Sequence, residues 1–117
     1  MGLLVLVVDD EPLLLWALSE ALAAHGHEVL TAGDGAAALA LLSGSSRRPD
    51  VILLDYQLPG TDGVALLPVM HGVSPASRII MVTAHGTPEL ERRALAVGAL
   101  RVAQKPIDMD RVAELVA

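Results

Sequence analysis

Cysteine is absent from the 117 residues. That excludes a disulfide scaffold and any thiolate metal site, and it fits a reducing compartment. Phenylalanine is absent too, with one tryptophan and one tyrosine, so nucleic-acid bases would find almost nothing to stack on. Positive charge is scarce: 8 Lys and Arg face 14 Asp and Glu, a formal net charge of −6. A small domain with that balance is a poor non-specific binder of nucleic acid. Long apolar runs are missing as well. The run Gly2–Val8 is seven residues long, and Asp9, Asp10 and Glu11 follow at once. A membrane helix needs about 20 apolar residues, and a signal peptide wants positive charge before its apolar region and small residues after it. The expectation is a soluble, cytoplasmic domain with no membrane contact.

What is present is apolar mass. Hydrophobic residues make up 53% of the chain, which rules out disorder as the overall class and suits one domain over 1–117. Four short runs punctuate the sequence: Leu3–Val8, Val51–Leu54, Ile79–Val82 and Leu100–Ala103. The first three lack alternation, as strands buried on both faces of a parallel sheet do. Glu28–Ala32 is a weaker strand candidate.

Helical segments fill the gaps. The first is expected over Pro12–His25, with Pro12 in its first turn and Gly26 as its stop; Leu14, Leu18, Ala21 and Leu22 form its inner face. The second covers Gly35–Leu42, with Asp34 as N-cap. The third covers Gly63–His71 and contains Pro68, which predicts a kink or a short helix. The fourth opens on Thr87 as N-cap, Pro88 and Glu89 and stops at Gly98. The last runs from Asp108. Ser43–Pro49 reads as a surface loop. Strand and helix alternate five times, which argues for an open parallel sheet with helices on both faces and right-handed crossovers.

The polar residues sit where such a sheet builds sites. Asp9, Asp10, Asp55, Thr83 and Lys105 all fall at C-terminal strand ends, the edge where ligands bind at the topological switch. If the first and third strands are neighbours, three carboxylates converge, and their repulsion calls for a cation. A hard divalent ion with oxygen ligands fits, Mg²⁺ being the abundant one. Plainer readings stand beside this one. Asp9 and Asp10 can serve as turn and cap residues, Lys105 (the only lysine) can be a solvated edge residue, and Thr83 an ordinary strand threonine. Asp55 is harder to dismiss, because Asp50 and Asp62 already cover the nearby turn and cap. His25, His27, His71 and His85 are not spaced as a metal cluster; His85 falls beside the site.

The segments Val7-Val8-Asp9-Asp10-Glu11-Pro12, Leu54-Asp55-Tyr56-Gln57-Leu58-Pro59-Gly60-Thr61-Asp62-Gly63, Val82-Thr83-Ala84 and Lys105-Pro106 together resemble the receiver domain of two-component response regulators. Within that family, Thr83–Glu89 is similar to receivers attached to transcription activators. The resemblance implies a three-layer doubly wound (βα)5 sandwich whose five-stranded parallel sheet has the order 2-1-3-4-5. It implies that Asp55 is the phosphoacceptor, phosphorylated by a sensor histidine kinase. It implies Mg²⁺ on Asp10, Asp55 and the backbone carbonyl of Gln57, with Asp9 acting through water. Lys105 and Thr83 would contact the phosphoryl oxygens, and Lys105-Pro106 would be cis. The module would be no enzyme in the ordinary sense, only weakly self-catalysing phosphotransfer and autodephosphorylation. An output domain would lie outside this chain.

The chain departs from the family at Val102, where relatives often carry Tyr or Phe, and at Ile107, where many carry Phe. A readout by aromatic rotation is therefore not expected. Phosphorylation is expected to promote a homodimer through the fourth helix, last strand and last helix, whose charges include Glu91, Arg92, Arg93, Arg101, Asp110 and Arg111. Two rival functions fit less well. An Asp-nucleophile phosphatase of the haloacid dehalogenase type would carry Asp-x-Asp after the first strand. A flavodoxin-like cofactor binder would need a phosphate cradle there, where this chain has acid.

Overall fold

A strand with apolar residues on both faces is stable only when both faces are covered. In the computed structural model, which describes residues 2–44 and 46–117, β1 (Leu4–Val8) and β3 (Val51–Asp55) are buried at every position. β4 (Arg78–Thr83) is buried after its first residue. β2 (Glu28–Ala32) and β5 (Arg101–Gln104) are more exposed, because they form the two edges. All pairings in this sheet are parallel, and the order is β2-β1-β3-β4-β5, as expected. The chain switches direction between β1 and β3, whose registers include Val5 opposite Val51 and Val8 opposite Leu54.

Alternate residues of a strand point to opposite faces, and the core divides accordingly. Leu6, Val8, Ile52, Leu54, Ile79 and Met81 pack with α2 (Gly35–Gly44), α3 (Gly63–Val73) and α4 (Pro88–Ala96). Val5, Val7, Val51, Leu53, Ile80 and Val82 pack with α1 (Pro12–Ala24) and α5 (Val112–Val116). The result is the three-layer α/β sandwich. Among the described residues, no helix is long and apolar enough to cross a membrane.

Several boundaries differ from the sequence expectation. α3 continues through Pro68 to Val73 with no break. Val64, Leu66, Leu67 and Met70 are buried along it, and that burial outweighs one missing donor. α5 starts at Val112, not Asp108. The Asp108 carboxylate instead accepts from the Asp110 N–H at 2.9 Å, and its carbonyl from the Arg111 N–H at 3.0 Å; such local bonds compete with helix. α1 ends one residue early, where Gly26 takes φ 85°. α2 runs on to Gly44, so the expected loop Ser43–Pro49 is partly helical, and its Ser45 lies outside the described residues. Thr87 and Asp62 cap α4 and α3 through Leu90 N–H and Ala65 N–H, and Asp34 accepts from Ala37 N–H at 2.7 Å.

Candidate functional site

The C-terminal ends of β1 and β3 lie side by side, so the residues that leave them share one crevice. Asp9 follows β1 and is buried; Asp55 ends β3 and is buried; Asp10 is exposed. One carboxylate oxygen from each lies within 4.8 Å of the others. Asp9 is held from two sides. Its backbone N–H donates to the Ala32 carbonyl at 3.0 Å, and its Oδ1 accepts from the Glu11 N–H at 2.9 Å. Asp9 therefore does the turn work of the plainer reading with one oxygen while offering the other to the crevice.

That other oxygen faces the ammonium of Lys105. Lys105 follows β5, and its own N–H donates to the Thr83 carbonyl at 2.8 Å. Its Nζ stands 2.9 Å from Asp9 Oδ2, 3.2 Å from Glu11 Oε1 and 3.4 Å from Asp55 Oδ2. The Lys105–Pro106 peptide is cis. Asp55 Oδ1 also accepts from the Gln57 N–H at 3.3 Å. Gln57 belongs to a two-residue antiparallel ladder with Asp62 and Thr61 that turns the chain into α3. Thr83 is buried at the end of β4, on the same edge, and its hydroxyl oxygen accepts from the His85 N–H at 3.2 Å. The structure thus gathers Asp9, Asp10, Asp55 and Lys105, and keeps the Thr83 hydroxyl engaged with its own loop.

The electrostatics follow from this crowding. Burial pushes the Asp55 carboxyl above its ordinary 3.8, and the charge of Asp9 adds to the effect; the charge of Lys105 and the Gln57 N–H work against it. Burial disfavours the charged form of Lys105, yet the bond it donates to Asp9, the charges of Asp9 and Asp55 and the bond it donates to Glu11 together hold its ammonium above the ordinary 10.5. Three carboxylates, Asp9, Glu11 and Asp55, surround one ammonium, and Asp10 joins Asp9 and Asp55 as a fourth acidic group. Of these four, Asp9, Asp10 and Asp55 make an all-oxygen donor set of the kind hard divalent cations take, and could hold such an ion.

Two neighbours escaped the sequence reading. Glu11 was visible only as a third acidic residue after Asp9-Asp10; its contact with Lys105 depends on two strands meeting. Gln104, next to the lysine, accepts from the Gly86 N–H at 3.3 Å and ties β5 to the loop after Thr83. Two cavities adjoin the site. One of about 400 Å³ lies beside Lys105, between Leu14 and Met109. The other, about 360 Å³, lies between α4 and β5 and is lined by Leu95, Val102 and Gln104.

The family described as the response regulator receiver domain matches residues 5–117. Sporulation initiation phosphotransferase F of Bacillus subtilis is 32% identical over 112 residues, 96% of this chain and 89% of that protein. The DNA-binding transcriptional regulator NtrC of Escherichia coli is 38% identical over 113 residues, 97% of this chain but 24% of that protein. Among solved structures, a CheY-like response regulator receiver domain protein from Methanospirillum hungatei superposes with a TM-score of 0.90 at 28% identity, covering 99% of this chain and 91% of that one.

Proposed function

The chain belongs to the response regulator receiver domains of two-component systems, and from that premise we propose that Asp55 is its phosphoacceptor and a sensor histidine kinase its donor. The observation that carries this reading is the meeting of Asp9, Asp10 and Asp55 within 4.8 Å of one another, with the single lysine of the chain against Asp9 and Asp55. In the proposed step an Asp55 carboxylate oxygen bonds to phosphorus while the bond from phosphorus to the donor imidazole nitrogen breaks. The electron pair leaves with that nitrogen, which then takes a proton from water.

The three carboxylates and the Gln57 carbonyl would hold Mg²⁺. When bound, the ion neutralises charge on the transferred oxygens. Lys105 supplies a further cation to one phosphoryl oxygen, and the Thr83 hydroxyl, whose oxygen accepts from the His85 N–H, keeps its own proton to donate to another. Hydrolysis of the acyl phosphate, slowly assisted by the same residues, would end the signal. The donor would approach over α1, where Leu13 and Trp16 are exposed.

The output follows the loop after Thr83. Val102 has no aromatic ring to rotate, so the change runs through backbone and a shift of α4 over the groove beside it. We place a phosphorylation-promoted dimer on α4, β5 and α5. Glu91, Arg92 and the exposed Leu95 and Leu100 are available to it. Arg101 reaches back to the Leu115 carbonyl, and Arg111 pairs with Glu114 at 3.0 Å. Residues 1–117 would be one domain acting in the cytoplasm, with DNA contact, as NtrC's description has it, left to an output domain outside this chain. Incubation with acetyl phosphate and Mg²⁺ followed by intact mass tests the reading. One phosphate adduct, absent in Asp55→Asn, is expected; undiminished labelling of that variant rejects it.

A further inference from the structure

The Lys105 ammonium has three N–H donors, and three carboxylates stand around it: Asp9 at 2.9 Å, Glu11 at 3.2 Å and Asp55 at 3.4 Å. The three are not equivalent. The Asp9 and Asp55 side chains are 5% and 7% exposed, whereas that of Glu11 is 62% exposed. Glu11 occupies the N-cap of α1, yet its side chain makes no capping bond to the helix. It turns away to Lys105 instead, at the mouth of the cavity lined by Leu14, Ala84, Pro106 and Ile107. Neither helix capping nor burial accounts for that orientation.

We propose that Glu11 is a positioning residue that restrains Lys105, competing with the incoming phosphoryl group for the ammonium and so slowing phosphorylation. The inference rests on the reading of Asp55 as phosphoacceptor. In the resting crevice the longest of the three contacts is the one to Asp55, so the ammonium is drawn toward Asp9 and Glu11 and away from the atom that reacts. Asp9 is fixed by two backbone bonds and cannot yield. Glu11 is exposed, so water can replace it at small cost. Its loss frees one donor for a phosphoryl oxygen and removes one negative charge from the path of an anionic donor.

The test follows the uptake of phosphate from acetyl phosphate with Mg²⁺, in which the Asp55 oxygen bonds to phosphorus and acetate leaves with the electron pair of the broken bond. Two variants separate contact from charge. Glu11→Gln removes the charge. Glu11→Asp keeps it, but is one methylene shorter and is a strong N-capping residue, so its carboxylate withdraws to the helix. Both variants should phosphorylate faster by about threefold to fivefold, the range a rim ion pair carries, and bind beryllofluoride more tightly by the same factor. Glu11→Gln should melt like the parent, since Glu11 is exposed, and Glu11→Asp should melt no lower than the parent and higher by the capping bond it gains. Unchanged or slower uptake in Glu11→Gln overturns the proposal. Acceleration in Glu11→Gln alone overturns it as well, because a long-range charge effect then suffices. A parent chain that takes no label, or takes it away from Asp55, removes the phosphoacceptor reading and this inference with it. Labelling at Asp55 with no response to Glu11 removes this inference only.

Discussion

At the scale of residues, the crevice combines groups that would be unfavourable alone. Asp55 binds its proton more tightly folded than unfolded, first because it is buried and then because Asp9 is near. The folded state therefore carries more protons as pH rises from 3.8, and stability contributed by this group falls across the window up to the raised folded value. Its ionised form is a net cost at neutral pH. Asp55→Asn should melt higher than the parent at pH 7 without metal, and the gap should close as the pH approaches 4, as thermal melts across that range would record. Lys105 is shifted in the same direction, but there the charged form is the favoured one: it contributes stability throughout the neutral range, lost only as pH rises past 10.5. Lys105→Ala should slow phosphorylation by about 10²-fold, the usual cost of one lost charge-stabilising donor. Lys105→Arg should recover little, a planar fork being no substitute for a point charge. Asp9, Asp10, Asp55 and Thr83 were legible in the sequence because each ends or follows a strand whose apolar run is unmistakable, and Lys105 because it follows the weaker run Leu100–Ala103 as the single lysine. Glu11 and Gln104 were not, since their partners are set by which strands meet and by side-chain direction.

At the scale of elements, the turn from β3 into α3 is packed so closely that one glycine is obligatory. A Cβ on Gly63 would stand 2.8 Å from the Asp55 carbonyl oxygen and 2.9 Å from Tyr56 Cα. Both are backbone atoms that cannot step aside. Gly63→Ala should cost about 1–3 kcal/mol, as overpacking does, and should loosen the site by displacing Asp55, measurable as weaker beryllofluoride binding. Sequence marked the start of α3 through Asp62 and of α4 through Thr87, because caps are local chemistry. It misjudged α3 at Pro68 and α5 at Asp108 for two different reasons. In the first case tertiary burial of Leu67 and Met70 overrides a local breaker; in the second, Asp108 satisfies local backbone groups before the helix can begin.

At the scale of the molecule, charge and metal are coupled. Mg²⁺ bound to the folded crevice alone should stabilise the chain by about 2.7 kcal/mol at a hundred times its dissociation constant, and Asp10→Asn should lose most of that gain while melting normally without metal. The open parallel sheet was legible because four apolar runs and the weaker Glu28–Ala32 alternate with helix signals and parallel crossovers take one hand; its strand order was legible only through the family resemblance. The proposed dimer is read by light scattering with and without beryllofluoride: dimers only with the mimic are expected, and Leu95→Glu should prevent them. A monomer in both states would remove the dimer and leave the site untouched. The central claim is chemical, and trapping the acyl phosphate tests it most directly. The chain would be treated with acetyl phosphate and Mg²⁺, reduced with borohydride, and sequenced by mass spectrometry of its peptides. The account predicts one reduced residue, Asp55, and none when Mg²⁺ is chelated. Reduction at Asp9, Asp10 or any other carboxylate in place of Asp55 would contradict it.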